Sequence, residues 1–356
     1  MKTTIVVACF SNNKGGMELN SLGLARLLHR QHEVTVVCRE GSHIETFRKS
    51  LLKEGIELVS IPFEGNFSLR CILDLRKVLK KKKIKNLIFF GASELKSIVV
   101  AKIGLGVRIL NFHGTNKTHS KKDPLHALIY KGVRFHIAVS EHLKKNVLAI
   151  IPGSNKENVK VVYLPCDHTS TAAKTLSSPV QIVHVGRIAK GKGHEDFLEV
   201  VESVSKTLEV RGTLVGGVED ESISEKLQNK MYKHPKLSEI VHFAGFQTHV
   251  QSYLSPAHFL LFPSRGEGLP NTLIEAFLAK VLPITYDNTV FPEFLKLGFE
   301  FPQVSDGDLE ALKVMCQTTF KMDPELFSQK VENNYKLAEK YFSGDSVLKS
   351  YNELLQ

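Results

Sequence analysis

The stretch QIVHVGRIAKGKGHEDFLEVVESVSK (residues 181–206) runs from a β-branched segment through a basic, glycine-rich loop into an amphipathic helix. Residues 181–185 read as a strand and 195–206 as a helix, so the stretch is one half of a βαβ unit. The same step recurs on both sides of it. Upstream, residues 4–9, 34–38, 58–61, 87–90, 109–112, 137–139 and 161–164 read as strands, with helices such as 17–30, 69–82 and 141–149 between them. Downstream, strands at 213–215, 241–243, 259–262 and 282–285 alternate with helices that include 273–279 and 309–320. Alternation of this kind predicts an α/β architecture with mostly parallel sheets. Its two runs predict two Rossmann-like, doubly wound domains in series, joined near residues 176–179.

The length of 356 residues suits two units of ordinary size better than one. A chain that is 42% hydrophobic and 24% charged has material for two cores, which excludes wholesale disorder. Its longest apolar runs, such as 86–90 and 258–262, are strand-length, far short of the ~20 residues that span a bilayer. The N-terminus enters a strand-like run almost at once without the features of a signal peptide, so a cytoplasmic location is expected. Cys9, Cys38, Cys71, Cys166 and Cys316 lack metal-ligand spacing and fit reduced thiols.

Charge divides unevenly along the chain. Residues 1–178 hold 29 Lys+Arg against 13 Asp+Glu, a balance of +16, whereas the remainder holds 18 against 24, or −6. A change of sign at mid-chain is itself a boundary signal. The basic half is expected to meet something anionic: nucleic acid, lipid headgroups or a phosphorylated glycolipid. Its densest run, RKVLKKKKIK (76–85), admits two readings, a solvated helix end favoured by the helix dipole or a patch in peripheral contact with an anionic membrane.

Ligands of doubly wound sheets lie outside the carboxyl ends of the strands, so two such domains place the expected site in a cleft between them. The segments that follow strands are NNKGG (12–16), His113 and Gly114, Gly186 and Arg187, and SRGEGLPN (264–271). Arg187 and Lys192, set among Gly186, Gly191 and Gly193, suit a diphosphate, because two fixed cations meet backbone that can approach closely. The bland alternative is a basic turn that binds nothing. Further on, Pro270 favours a helix beginning just beyond it, with Asn271 or Thr272 able to cap its first turn, which places Glu275 in the opening turns and Glu267 in the loop. Carboxylates so placed can each accept two hydrogen bonds from vicinal hydroxyls of ribose or a hexose. The alternatives are a helix-dipole carboxylate for Glu275 and an exposed loop charge for Glu267; next to the Arg/Lys loop, the functional reading gains.

Other features are discounted. Asp306-Gly307-Asp308 looks like a divalent-metal element but precedes an amphipathic helix and reads as a cap, so no obligatory metal is expected. Gly-x-Gly-x-x-Gly is absent and Cys38 and Arg39 end the second strand, which disfavours a dinucleotide cofactor. His29, His32, His119 and His126 lack metal spacing and read as surface histidines.

As a whole, the chain resembles the retaining, family 4 type of glycosyltransferase with the two-domain GT-B fold, of the kind that acts on lipopolysaccharide core or other envelope glycans. The resemblance rests on GGMELN (15–20), NFHG (111–114), AVSE (138–141), HVGRIAKGKG (184–193), FAGF (243–246), FPSRGEGLPNTLIEAFLAKVLPI (262–284) and Pro292-Glu293, in that order. It implies that residues 1–177 bind the acceptor, that 178–340 bind the nucleotide sugar, and that a last helix in 341–356 packs back on the first domain. Arg187 and Lys192 would hold the donor diphosphate, Glu275 the ribose hydroxyls, Glu267 the transferred sugar, and His113 the donor sugar near the reacting centre. Gly15, Gly16, Gly186, Gly268, Leu269, Pro270, Asn271 and Thr272 would complete the donor site, with the base near Gly245 and Phe246. Two segments depart from the family's pattern: Leu164-Pro165-Cys166-Asp167 in the interdomain turn, where Asp167 would keep part of the role, and Glu267-Gly268-Leu269-Pro270 in the donor-sugar loop.

Catalysis by charge stabilisation of a leaving nucleoside diphosphate needs neither a covalent nucleophile nor a cofactor beyond the donor itself. The expected reaction moves a sugar from a nucleoside-diphosphate sugar to an anionic glycan or glycolipid acceptor. A sugar phosphorylase, a nucleotide-sugar hydrolase or epimerase, and a basic nucleic-acid-binding protein remain as alternatives. The last is disfavoured because the first half has little interleaving of arginine with aromatic residues.

Overall fold

A computed structural model describes residues 2–12, 15–65, 67–166 and 173–356; Asn13, Lys14 and Asp167, singled out above, lie outside them. The chain forms two units, Met1–Pro165 with Gly344–Gln356, and Cys166–Ser343.

The strands of the first unit are β1 (Thr4–Cys9), β2 (Glu33–Arg39), β3 (Glu57–Ile61), β4 (Asn86–Phe90), β5 (Arg108–His113), β6 (Val133–Ala138) and β7 (Val159–Val161). Between them run α1 (Gly16–His29), α2 (Arg48–Lys53), α3 (Leu69–Lys81), α4 (Leu95–Ala101), α5 (Pro124–Tyr130) and α6 (Glu141–Ile150). All neighbouring strands are parallel, in the order β3-β2-β1-β4-β5-β6-β7, so the order reverses beside β1. Covered on both faces, β1 and β4 are almost wholly buried and read as unbroken apolar runs, as parallel strands must. Local chemistry sets the helices: Ser68 caps α3 by accepting the Cys71 N–H, and the helix then turns Cys71, Ile72, Leu75 and Leu79 onto the sheet.

The second unit repeats the scheme with β8 (Val180–Val185), β9 (Val210–Val215), β10 (Val241–Gly245), β11 (Phe259–Phe262), β12 (Leu282–Asp287) and β13 (Gln303–Ser305). Their order is β10-β9-β8-β11-β12-β13, again parallel and reversing beside β8. The helices are α7 (His194–Val204), α8 (Glu221–Lys233), α9 (Pro235–Ile240), α10 (Gln251–Leu254), α11 (Asn271–Leu278), α12 (Phe291–Lys296), α13 (Leu309–Thr319) and α14 (Pro324–Phe342). A run of aromatic contacts from Phe277 through Phe294 and Phe299 to Phe342 joins α11, α12 and α14 into one core.

A last helix, α15 (Gly344–Leu355), belongs to the first unit and buries Val347, Leu348, Tyr351 and Leu355. The Leu355 carbonyl accepts from Arg108 Nη2 at 2.5 Å, and Asn352 Oδ1 lies 2.7 Å from His32 Nε2. His32 is therefore covered, contrary to the surface position expected for it: α15 folds over a histidine whose sequence neighbours are polar. The division between units also falls at Pro165/Cys166 and not at 177/178. Lys174 anchors the intervening segment to the second unit by donating to the carbonyls of Leu254 (3.3 Å), Ala257 (2.8 Å) and Ala279 (2.9 Å).

Candidate functional site

In the second unit, the carboxyl end of β8 leads into residues 186–193 before α7 begins. Gly191 and Gly193 both take positive φ, +79° and +77°, and Gly193 starts α7 without a side-chain cap. A Cβ on Gly193 would stand 2.3 Å from the Pro263 carbonyl oxygen, so glycine alone lets this turn lie against the loop that follows β11. The two loops are then stitched together. The Arg265 N–H donates to the Gly191 carbonyl at 2.8 Å, and the Ser264 hydroxyl donates to Glu267 Oε1 at 2.6 Å. Lys192 Nζ reaches the same Glu267 oxygen at 2.7 Å, and the two side chains keep only 22% and 13% of their exposure. Lys192 and Glu267, expected to act on one ligand, thus meet at the ends of neighbouring strands.

Residues not foreseen from the sequence hold this pair in place. Asp196, on the first turn of α7, accepts from Arg265 Nη2 (3.0 Å) and from the Tyr286 hydroxyl (2.7 Å), and burial together with that carboxylate pushes the Tyr286 phenol up. Asn288 Nδ2 donates to the Ser264 carbonyl at 3.1 Å and to Asp306 Oδ1 at 2.7 Å. Beneath the loop lie two buried imidazoles, His184 and His194, 4.4 Å apart edge to face. Nδ1 of His184 is 2.9 Å from the Leu261 carbonyl oxygen, and Nε2 of His194 is 3.3 Å from that of Gly186. Desolvation lowers both, His194 to about 4, so both are neutral at physiological pH.

Arg187 stands apart from this cluster. Its side chain is 67% exposed and pairs with Glu219 in the loop after β9. That loop and the end of β8 are in close contact, since a Cβ on Gly216 would fall 1.8 Å from the Gly186 carbonyl oxygen. Ile188, Gly217, Val218, Phe243, Gly245 and Phe246 help to line an apolar pocket of about 750 Å³ alongside. Phe246 is 75% exposed over it.

Helix α11 begins at Asn271, as Pro270 dictates, but Pro270 itself is the N-cap residue. Neither Asn271 nor Thr272 caps: both lie inside the first turn, and the helix has no side-chain cap hydrogen bond. Gly268, Leu269 and Pro270 bridge Glu267 to this helix, and Glu275 is its fifth residue, half-buried. Of the Asp-x-Asp element, Asp308 caps α13 by accepting the Ala311 N–H at 2.9 Å.

In the first unit, Gly15 and Gly16 open α1 at the carboxyl end of β1. Glu18, buried, turns back so that its Oε2 accepts the Gly15 N–H at 3.0 Å, and a Cβ on Gly16 would meet open space. His113 ends β5 with its ring turned inward: it is 2% exposed, and its Nε2 lies 3.0 Å from His136 Nδ1 and 3.3 Å from Asn111 Nδ2. Burial, then Lys117, lowers both histidines, His136 to about 4. Any contact of His113 with a sugar goes through its backbone or requires the ring to turn out.

Two family descriptions match the chain, Glycosyltransferase Family 4 over residues 14–170 and Glycosyl transferases group 1 over residues 179–317. One relative is a Campylobacter jejuni α-1,4-N-acetyl-D-galactosaminyltransferase whose name gives its acceptor as a GalNAc-containing, undecaprenol diphosphate-linked glycan. It is 25% identical over 302 residues, covering 80% of this chain and 79% of its own. Among solved structures, a glycosyltransferase from Rickettsia africae superposes with a TM-score of 0.86 at 18% identity, covering 99% of this chain and 98% of its own. The Anabaena HepE structure in complex with UDP and glucose gives 0.77 at 15% identity and covers 99% of each chain.

Proposed function

Because the chain belongs to the group 1 and family 4 glycosyltransferases and has their two-domain GT-B fold, we propose that it transfers a sugar from a nucleoside-diphosphate sugar to an anionic glycan or glycolipid acceptor in cell-envelope polysaccharide synthesis, such as that of lipopolysaccharide, on the cytoplasmic side. The observation that carries this reading is the junction of Lys192, Glu267 and Ser264 at the carboxyl ends of β8 and β11. A shielded ammonium beside a carboxylate is the minimum needed to hold a diphosphate and a sugar hydroxyl at adjoining points.

Lys192 meets the donor diphosphate and leaves Glu267 to accept from the transferred sugar. Arg187 joins it readily, because a pair as exposed as Arg187–Glu219 contributes little and is easily exchanged. Glu275 takes the ribose hydroxyls, and the pocket under Phe246 takes the base. Gly16 leaves room at the start of α1 for the acceptor or donor to approach the backbone, and Gly15 beside it joins that approach only where the ligand takes over its N–H from Glu18. As the bond from the anomeric carbon to the phosphate oxygen breaks, the two cations neutralise the developing charge. The acceptor oxygen bonds to the same face of that carbon and its proton passes to the leaving phosphate, which gives a glycoside of retained configuration and a free nucleoside diphosphate. Positive charge comes from Lys192 and Arg187, so no divalent ion is assigned a role.

A basic first unit fits an anionic acceptor, and the undecaprenol diphosphate-linked acceptor in the name of the Campylobacter jejuni relative is of that class. The test is turnover of uridine, guanosine and adenosine diphosphate sugars with envelope glycolipid extracts, with and without a chelator, and with the anomeric configuration of the product read by NMR. Donor-dependent release of nucleoside diphosphate that requires acceptor and survives chelation is expected. Free sugar released without acceptor would make the protein a hydrolase, and an inverted product would refute the same-face mechanism.

A further inference from the structure

The exposed apolar side chains of the first unit are concentrated in one layer. Leu69 and Leu73 on α3, Ile103 just beyond α4, and Leu125 and Leu128 on α5 are each 60% or more exposed, and Phe67, before α3, is about half exposed. Helix α3 packs on α4 and α4 on α5, over one core that contains Leu75, Ile98 and Ile129. The layer is also fastened at its joints. The Ser68 N–H donates to Ser97 Oγ at 3.1 Å, and Arg76 Nη1 donates to the carbonyls of Ala101 (3.0 Å) and Ile103 (2.6 Å). Gly132, just past α5, lies so close to Val99 that a Cβ there would stand 2.6 Å from its side chain.

Charge on the same layer is almost entirely of one sign. Residues 67–131, which carry α3, α4 and α5 together with the intervening strands β4 and β5, hold fifteen Lys+Arg and three Asp+Glu; of these cations, Arg108 on β5 is taken up by the Leu355 carbonyl and Lys82 by Glu57. The three acids are engaged locally: Asp74 by Lys77 at 3.0 Å, Asp123 by His126 at 2.5 Å, and Glu94 by the Ala92 N–H at 3.3 Å. Arg70, Lys80 and Lys81 of α3 and Lys122 and Lys131 at the two ends of α5 are exposed on the helices that carry the leucines or next to them in the chain.

Protruding leucines grouped on one face mark an interaction surface. Nucleic acid would use the cations and leave the leucines in water, and a protein partner of ordinary charge would meet an uncompensated positive field. An anionic bilayer uses both, because apolar side chains enter the acyl boundary while lysines and arginines stay at the headgroups. We propose that the α3–α4–α5 face docks the first unit onto an anionic lipid bilayer, lying on it, since none of the described helices is long and apolar enough to cross one. The inference deepens the glycolipid reading above, on which it rests for its purpose, by naming the surface at which such an acceptor is met.

Docking needs no donor, so it is measured separately from turnover. The full chain is sedimented with phosphatidylcholine vesicles with or without phosphatidylglycerol, and is expected to bind the anionic ones and to be partly released by salt. The triple variant Leu69→Gln/Leu73→Gln/Leu128→Gln should lower partitioning by at least about tenfold, and Lys80→Gln/Lys81→Gln by about fivefold per charge. Both variants should keep the wild-type melting temperature and normal turnover of a soluble acceptor, so that loss of docking with turnover intact separates this inference from the proposed activity. Wild-type protein left in the supernatant, leucine variants that bind unchanged, a solution dimer that shields the three leucines, or binding to duplex nucleic acid in place of vesicles would each overturn it.

Discussion

Replacing Lys192 by alanine tests the site at its centre. The pair it forms with Glu267 is largely shielded, so its worth lies between that of exposed ion pairs, about 0–1 kcal/mol, and the loss of about 3–5 kcal/mol on breaking a buried one. Glu267 would still keep the Ser264 hydroxyl at 2.6 Å, which limits the penalty for stranding its charge. A loss of about 1–2 kcal/mol follows, or roughly 2–8 °C in the melting of the second unit. The effect on chemistry should be far larger: removing one charge-stabilising contact from a developing anion costs about 10²–10³ in kcat. Circular dichroism melting and a coupled assay for released nucleoside diphosphate read the two quantities separately. Adding Glu267→Gln to Lys192→Ala should recover most of the lost stability and none of the turnover. If folded Lys192→Ala keeps a third or more of wild-type kcat/KM, with unchanged affinity for nucleoside diphosphate, the assignment of Lys192 to the leaving group is wrong.

Gly193→Ala should be among the most damaging single-methyl changes in the second unit, because it joins a left-handed backbone to a 2.3 Å clash with the Pro263 carbonyl; about 1–3 kcal/mol for the backbone alone, plus displacement of the two loops, should appear as a lower melting temperature with lost turnover. Phe246→Ala should weaken nucleoside diphosphate binding by about 1–3 kcal/mol by calorimetry while leaving melting unchanged, since the ring is mostly exposed. Acid should destabilise both units. His136 and His194 are held at about 4 when folded and return to about 6.5 on unfolding, so the unfolded chain binds protons that the folded one refuses. Their contribution is whole above 6.5 and lost as pH falls toward 4, up to about 3 kcal/mol each, so urea midpoints should drop across that window, and His194→Asn should flatten the drop in the second unit only.

How much could be read from the chain depended on whether a signal was local. Residues 4–9 and 259–262 are continuous apolar runs, and both are strands with those bounds. The strand read at 137–139 begins at Val133 instead, because the exposed Arg134 and the buried but polar His136 interrupt its apolar pattern. Similarly, β7 covers Val159–Val161 where residues 161–164 had the better composition, since pairing with β6 outweighs it. The edge strand Gln303–Ser305 has no apolar run at all and is specified by its ladder with β12. At the site, the spacing of glycines, lysine and glutamates marked the two loops. Ser264 reads only as part of the loop after β11, and Asp196, Tyr286 and Asn288 escaped notice because their value lies in contacts between segments far apart in sequence, for which a single chain carries no periodic mark. The apparent freedom of His32 and the presumed capping by Asn271 or Thr272 fail for related reasons: one ignores a helix arriving from three hundred residues away, the other a proline that claims the capping position.

The membership of α15 in the first unit has a consequence for synthesis. A ribosome delivers residues 1–165 well before Gly344, and the whole second unit is made in the interval. At 5–20 residues per second this lasts roughly ten to thirty-five seconds, during which the places later filled by Val347, Leu348, Tyr351 and Leu355 stand open on the nascent chain. The second unit, contiguous in sequence, is free to complete itself first, and the first unit closes only when the final helix is handed back to it. Chaperone dependence should therefore track the N-terminal half of the nascent chain, although that half is the earlier to emerge.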